Sequence, residues 1–181
     1  MTGMDLDKFD NTWFRPGSRL KLISWYLVSM FFFRTSFPFP SRLKVMILSS
    51  FGSSVGKSVV VKPRVNIKYP WFLEIGDNSW IGEDVWIDNL ASIKIGKNVC
   101  LSQGSFLLTG SHDYKKSSFD LIVGEIILED SVWIGAKSIV CPNVTCKTGS
   151  VLAVNSVATK NLESNKIYQG NPATIKRQRL S

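Results

Sequence analysis

From residue 55 onward the chain repeats every six residues, and that period excludes most folds. The blocks run "VGKSVV", "VKPRVN", "IKYPWF", then "IGDNSW", "IGEDVW", "IDNLAS", then "IGKNVC", "LSQGSF", "LLTGSH". After a break come "LEDSVW", "IGAKSI", "VCPNVT", "CKTGSV", "LAVNSV" and "ATKNLE". Of these fifteen hexads, thirteen open on Val, Ile or Leu, and thirteen carry Val, Ser or Ala at the fifth position. A period of six is neither the helical 3.6 nor the strand period of two. It marks a parallel β-solenoid of short strands and tight turns, an all-β fold.

The spacing predicts the cross-section. First positions fall at 55, 61, 67; 75, 81, 87; 95, 101, 107; 128, 134, 140; and 146, 152, 158. Extra residues follow each group of three except the fourth, so three hexads make one coil and the insertions share one corner. The expectation is a triangular β-helix of about five coils, ~4.8 Å apart. First and fifth positions point inward, and the sixth points out. The outward columns are then Val60, Trp80, Cys100, Trp133, Val151; Asn66, Trp86, Phe106, Ile139, Val157; and Phe72, Ser92, His112, Thr145, Glu163. Two of the three are largely apolar, which predicts a cover of other subunits or of the N-terminal segment.

Residues 1–51 have another character. "LKLISWYLVSMFFFR" is apolar and aromatic, "TSFPFPS" interrupts it, and "RLKVMILSSFG" follows. These segments predict short helices. The run Leu22–Phe33 would extend roughly 18 Å as a helix, too short for a hydrocarbon core of ~30 Å. Asp5, Asp7 and Asp10 precede it and no small-residue cleavage site follows, which argues against a signal peptide. Two placements stay open: packing on the main domain or a sister subunit, or lying on a membrane surface with Arg15, Arg19, Lys21, Arg34, Arg42 and Lys44 near head groups. The expected organisation is a helical segment at 1–51, a β-helix at 52–163 with a loop at 113–127, and a basic tail at 164–181.

The chain has one histidine, His112, and it stands where the hexads stop. At the base of a protruding loop it lies in a cleft rather than in the core. Net charge is +8, favouring anionic partners, but no aromatic-basic motif points to nucleic acid. Cys100, Cys141 and Cys146 form no C-x-x-C pair and have no neighbouring histidine, so no metal site is expected. Three cysteines weakly favour a reducing, cytoplasmic compartment.

The paired hexads "IGDNSWIGEDVW", the "TGSHD" stretch before the break, "DSVWIGAKSIVCPNVT" and the closing "VATKNL…YQGNPATIKR" resemble the hexapeptide-repeat acyltransferases. The segments "WYLVSMFFFR", "KPRVNIKYPW" and "WIDNLASIKIG" are similar to those of colanic-acid-type polysaccharide O-acetyltransferases. The resemblance implies a left-handed β-helix, a homotrimer, and acetyl-CoA as donor with no metal. It implies O-acetylation of a sugar of a bacterial surface polysaccharide or its precursor. It makes His112 the general base and the N–H of Ala136 the oxyanion donor. Acetyl-CoA is then expected along Trp133, Gly135, Ala136, Ala153, Thr159 and Lys160 and the turn Gly170, Asn171, Pro172, with Lys176, Arg177 and Arg179 near the CoA phosphates. Asp88 and Asn89 are candidates for the acceptor sugar, and Asp113 either orients His112 or contacts the sugar; a simple turn role fits all three equally.

The chemistry fits the residue types. An alcohol attacks a thioester slowly unless a base removes its proton, and imidazole changes charge nearest neutral pH. Backbone N–H groups are the usual oxyanion donors. Alternatives are N-acetylation of an amino-sugar nucleotide and a non-catalytic solenoid scaffold; the scaffold leaves the His112 loop unexplained. A related three-histidine zinc site is impossible with one histidine. The expected location is the cytoplasm, with the inner face of the cytoplasmic membrane as the narrower possibility.

Overall fold

Each hexad folds into a short strand and a tight turn. The fourth position holds the turn, in the left-handed region. Ser58, Arg64, Asn78, Asp84, Asn98, Ser131, Lys137, Asn143 and Asn155 all have φ between +54° and +62°, and Gly104 and Gly149 occupy two further fourth positions. Asn, Asp and Gly tolerate this conformation best, which explains their frequency there.

The computed structural model describes residues 3–179. Its strands stack into three parallel sheets, the faces of a triangular prism. The first face holds Ser54–Val55, Leu73–Ile75, Ile93–Ile95, Ile126–Leu128 and Thr145–Cys146. The second holds Val60–Val61, Trp80–Ile81, Cys100–Leu101, Trp133–Ile134 and Val151–Leu152, extended by Lys166–Gly170 and Ala173–Gln178. The third holds Asn66–Ile67, Trp86–Asp88, Phe106–Leu108, Ile139–Val140 and Val157–Ala158. Five coils are complete. A sixth is begun by the Cys146–Leu162 bridge and the strand Lys166–Gly170. The coil is left-handed.

The interior is as the period predicts. First-position residues such as Ile81, Ile87, Leu107, Ile134 and Leu152 are fully buried, as are Val85, Val132, Ser105 and Ser138 at fifth positions. Some buried serines join successive coils: Ser138 Oγ donates to the Ala153 carbonyl at 2.6 Å and accepts from the Ser156 N–H at 3.2 Å. Ser105 and Ser150 make no such bond.

Two outward columns match the sequence register, from Val60↔Trp80 to Trp133↔Val151 and from Asn66↔Trp86 to Ile139↔Val157. The third does not. The first face aligns Ser54, Glu74, Lys94, Ile127 and Thr145, so Phe72, Ser92, His112 and Glu163 are not its members. The last two inserted residues, 73–74, 93–94 and 126–127, themselves open the next strand and supply its outward position, which shifts that register.

Two segments hold more structure than expected. Residues 113–127 are not a free loop: Gly110–His112 pairs antiparallel with Leu121–Val123, and Ile126–Leu128 already belongs to the first face. Residues 164–179 are not a free tail: Lys166–Gly170 and Ala173–Gln178 form a hairpin that caps the last coil. Met1, Thr2, Leu180 and Ser181, within the two flanking segments, lie outside the described residues.

At the other end, helices α1 (Arg19–Phe32) and α2 (Ser41–Ser50) close the first coil. Trp25, Phe33 and Leu48 join the core, and Trp25 Nε1 donates to the Ile67 carbonyl at 2.9 Å. The free edge of a solenoid leaves carbonyls without partners. Lys44, fully buried, reaches the carbonyls of Lys62 at 2.9 Å and Val61 at 3.4 Å. Burial holds its pKa below the usual lysine value. Packing on the main domain is thus one of the helices' roles, while the tryptophans of the outward columns remain about half exposed.

Candidate active site

The site grows from the corner between the third and first faces, where the chain can leave the coil without breaking a hexad. After Leu108 it does so, and the hairpin carries His112 outward in register with Leu121. The turn is held by the Asp113 N–H on the Asp120 carbonyl at 2.9 Å and by the Asp113 carboxylate, which accepts from the Lys115 N–H at 3.1 Å. Asp113 therefore shapes the turn.

His112 is fixed instead by Phe119. Its Nδ1 lies 2.9 Å from the Phe119 carbonyl oxygen, and the two rings stack with centroids 4.2 Å apart and planes 3° from parallel. Phe119 has a φ of +49°, which aims its carbonyl back at the histidine. A carbonyl only accepts, so Nδ1 carries the hydrogen and the neutral ring keeps its lone pair on Nε2. No hydrogen bond among the described residues engages Nε2.

The N-terminal segment covers this corner. The Asp5 N–H donates to the Ser117 carbonyl at 2.9 Å, Phe9 lies 5.5 Å from the His112 ring, and Trp71 Nε1 donates to the Pro16 carbonyl at 2.7 Å. Sequence reasoning missed both Phe9 and Phe119. Their only trace is an isolated aromatic in a polar stretch, which says nothing of what it touches.

Asp88 stands on the same corner one coil below. It is nearly buried, with Lys68 Nζ at 2.9 Å from Oδ1 as an ion pair lacking the direction of a hydrogen bond. Its neighbour Tyr69 has a raised pKa, first from burial and then from the Asp88 charge. Asn89, expected at the acceptor, is instead fully buried and clamps the Tyr69 backbone, accepting from its N–H at 3.0 Å and donating to its carbonyl at 2.6 Å. Both ends of its amide are spent there, and it does not line an acceptor pocket.

The residues expected to hold acetyl-CoA divide between two corners. Trp133, Gly135, Ala136 and Ala153 follow the second face into the third, with the turn Gly170–Asn171–Pro172 above them, tied by the Gly170 N–H to Ser156 Oγ at 3.0 Å. Thr159 and Lys160 are exposed and leave the third face toward the corner of His112, two coils higher. Lys176 and Arg177 are exposed on the strand that runs away from the turn. Arg179 is engaged otherwise, its guanidinium donating to the carbonyls of Ser131 at 2.8 Å and Gly149 at 3.1 Å.

At Gly135 the next coil passes so closely that a Cβ would lie 2.6 Å from Val154 N and 2.7 Å from the Leu152 oxygen. The following N–H, of Ala136, donates to no group among the described residues. Glu83 and Gln103 also carry free N–H groups at this turn position, so the free donor alone does not single out Ala136. The thiols are poor nucleophiles: burial raises the pKa of Cys100 and Cys141 and pushes that of Cys146 up to about 12.

No family model matches the chain. It is 36% identical over 167 residues to WcaF of Escherichia coli, which is named as a colanic acid biosynthesis acetyltransferase, covering 92% of each chain. It is 27% identical over 157 residues to the galactoside O-acetyltransferase of Escherichia coli, covering 82% of this chain and 75% of that one. Among solved structures, a hexapeptide-repeat acetyltransferase of Vibrio cholerae complexed with acetyl coenzyme A superposes with a TM-score of 0.77 at 26% identity, over 90% of this chain and 87% of that one. With the prism, the hexads and this extent of identity together, the chain belongs to the hexapeptide-repeat acetyltransferase family, beside the colanic acid biosynthesis acetyltransferases.

Proposed function

We propose that this protein transfers an acetyl group from acetyl-CoA to a hydroxyl of a sugar in a bacterial surface polysaccharide or its precursor. The observation that carries the reading is the bond from His112 Nδ1 to the Phe119 carbonyl, which leaves Nε2 as an oriented base. Nε2 takes the proton of the acceptor hydroxyl as its oxygen attacks the thioester carbonyl. The tetrahedral oxyanion is held by the Ala136 N–H. Collapse breaks the carbon–sulfur bond, and the departing CoA thiolate recovers the proton from the imidazolium. The raised thiol pKa values argue against an acyl-cysteine step.

His112 and Ala136 stand at opposite edges of the third face. One strand and its turns separate them by roughly 15–20 Å at ~3.3 Å per residue. An oxyanion donor acts at about 3 Å. The reading therefore requires Ala136 of one subunit to meet His112 of another, as in a homotrimer. The half-exposed Trp80, Trp86 and Trp133 supply apolar surface for such contacts. Acetyl-CoA then lies in the groove between subunits, where Trp133, Gly135 and Ala153 face Thr159 and Lys160 across the boundary. Lys176 and Arg177 offer charge to its phosphates, and Asp88 contacts the acceptor.

No helix among the described residues is long and apolar enough to cross a membrane. The exposed apolar side of α1 supports a place at the inner face of the cytoplasmic membrane, in the compartment that supplies acetyl-CoA.

Incubation with labelled acetyl-CoA and candidate sugars tests the reaction. An ester product loses its label in mild alkali. A label that survives as an amide contradicts an oxygen acceptor.

A further inference from the structure

The candidate base is enclosed from two distant parts of the chain. Phe119 stacks on one face of the His112 ring, and its carbonyl takes Nδ1. Phe9 closes another side, its ring tilted 58° to the imidazole with centroids 5.5 Å apart. Two apolar rings and a carbonyl thus surround a group whose Nε2 is left for the reaction.

Phe9 is delivered by residues 5–16, a strap that belongs neither to the prism nor to α1. One end is pinned: Trp71 Nε1 donates to the Pro16 carbonyl at 2.7 Å, and Lys21 Nζ lies 4.2 Å over the Trp71 ring. The other end is held by the Asp5 N–H on the Ser117 carbonyl at 2.9 Å, in the turn of the hairpin that carries His112. Between them the Asp10 carboxylate accepts from the Thr12 N–H at 2.8 Å, and Phe14 rests 6.2 Å from the Tyr69 ring. No residue of the short turn Leu6–Lys8 is buried, and Met4, Leu6 and Trp13 are more than half exposed. The strap therefore adds little to the core; what it covers is the base. Segments seated so lightly open at low free energy, so the strap can yield to a sugar ring while the prism stays intact.

Such a cover answers a chemical need. A base that takes a proton from an alcohol also takes one from water, and water is in great excess. In that side reaction the water oxygen bonds to the acyl carbon and the carbon–sulfur bond breaks. Acetate leaves, and the proton held on Nε2 passes to the CoA thiolate. Closing a site against water suppresses hydrolysis of this kind.

We propose that Phe9 determines specificity, keeping bulk water from His112 so that the reaction selects the hydroxyl of a bound sugar. The inference rests on the reading of His112 as the base.

The full-length protein is given radiolabelled acetyl-CoA and no sugar, and released acetate is measured. Phe9→Ala should raise kcat for hydrolysis roughly tenfold or more. The KM for acetyl-CoA, the melting curve and the assembly should match the parent's; a merely structural role would lower turnover, not raise it. Phe9→Leu, which keeps apolar bulk, should stay near the parent. Asp5→Pro removes the N–H that seats the strap on Ser117 and should raise hydrolysis in the same direction. Adding His112→Asn to Phe9→Ala should return hydrolysis to the rate of acetyl-CoA in buffer. Hydrolysis by Phe9→Ala within about twofold of the parent overturns the proposal and leaves the His112 reading standing. Fast hydrolysis that survives His112→Asn overturns both.

Discussion

The imidazole of His112 lies flat on the ring of Phe119, 4.2 Å between centroids, while its Nδ1 faces the carbonyl of the same residue at 2.9 Å. One residue therefore sets both the plane of the candidate base and the nitrogen that keeps the lone pair. Misplacing a catalytic group by an ångström can cost about 10²-fold. Phe119→Ala removes the stack and leaves the carbonyl, so kcat should fall roughly tenfold. The KM for acetyl-CoA should stay unchanged and Phe119→Tyr should restore activity. Steady-state kinetics on the three proteins check this; loss through KM alone would remove Phe119 from its positioning role.

Gly135 separates fold from function. An added Cβ would press on the backbone of the next coil at 2.6–2.8 Å. Gly76 faces the same constraint, at 2.6–2.7 Å, far from the candidate site. Both alanine variants should lose about 1–3 kcal/mol to overpacking, read by urea denaturation. Only Gly135→Ala should also lose activity per folded molecule, by tenfold or more, because it displaces the Ala136 N–H. Equal activities in the two would show that Ala136 is not the oxyanion donor.

Lys44 ties the helices to the first coil. Lys44→Ala takes the partner from the Lys62 carbonyl, leaves the Val61 carbonyl only the Ser41 hydroxyl at 3.4 Å, and opens a cavity; it should cost about 3 kcal/mol. Lys44→Met keeps the stem and should cost less. Burial lowers the pKa of Lys44 in the folded chain. The unfolded chain then holds its proton at pH values where the folded one has lost it. The parent should gain stability relative to Lys44→Met as pH rises from the folded pKa toward 10.5, the ordinary lysine value. Denaturation curves across the alkaline range check the sign; a parallel pH dependence in the two proteins contradicts it.

The prism was legible because its signal is local. Inward Ile81, Ile87 and Leu107 and small Ser79, Ser105 and Ser138 recur at fixed offsets, and insertions after groups of three hexads set a three-sided cross-section. The third outward column was misread because inserted residues shift Ser92 and His112 off the first face, and the hexads do not record where within an insertion the strand resumes. His112 could be found as the lone histidine at the break. Phe119 could not, for what matters there is a backbone carbonyl at positive φ. Asn89 looked available because its amide could serve a sugar as readily as the Tyr69 backbone, and only the fold shows which it serves.

The most direct test of the account is turnover of His112→Asn beside the parent on an accepted sugar, across pH, with assembly verified. Asparagine can keep a bond to the Phe119 carbonyl but cannot take a proton. A fall of about 10²–10⁴-fold in kcat is expected. The acidic limb of the pH–rate profile should disappear, with affinity for acetyl-CoA and melting temperature little changed. A folded, assembled His112→Asn within about threefold of the parent, far short of what a general base contributes, would contradict it.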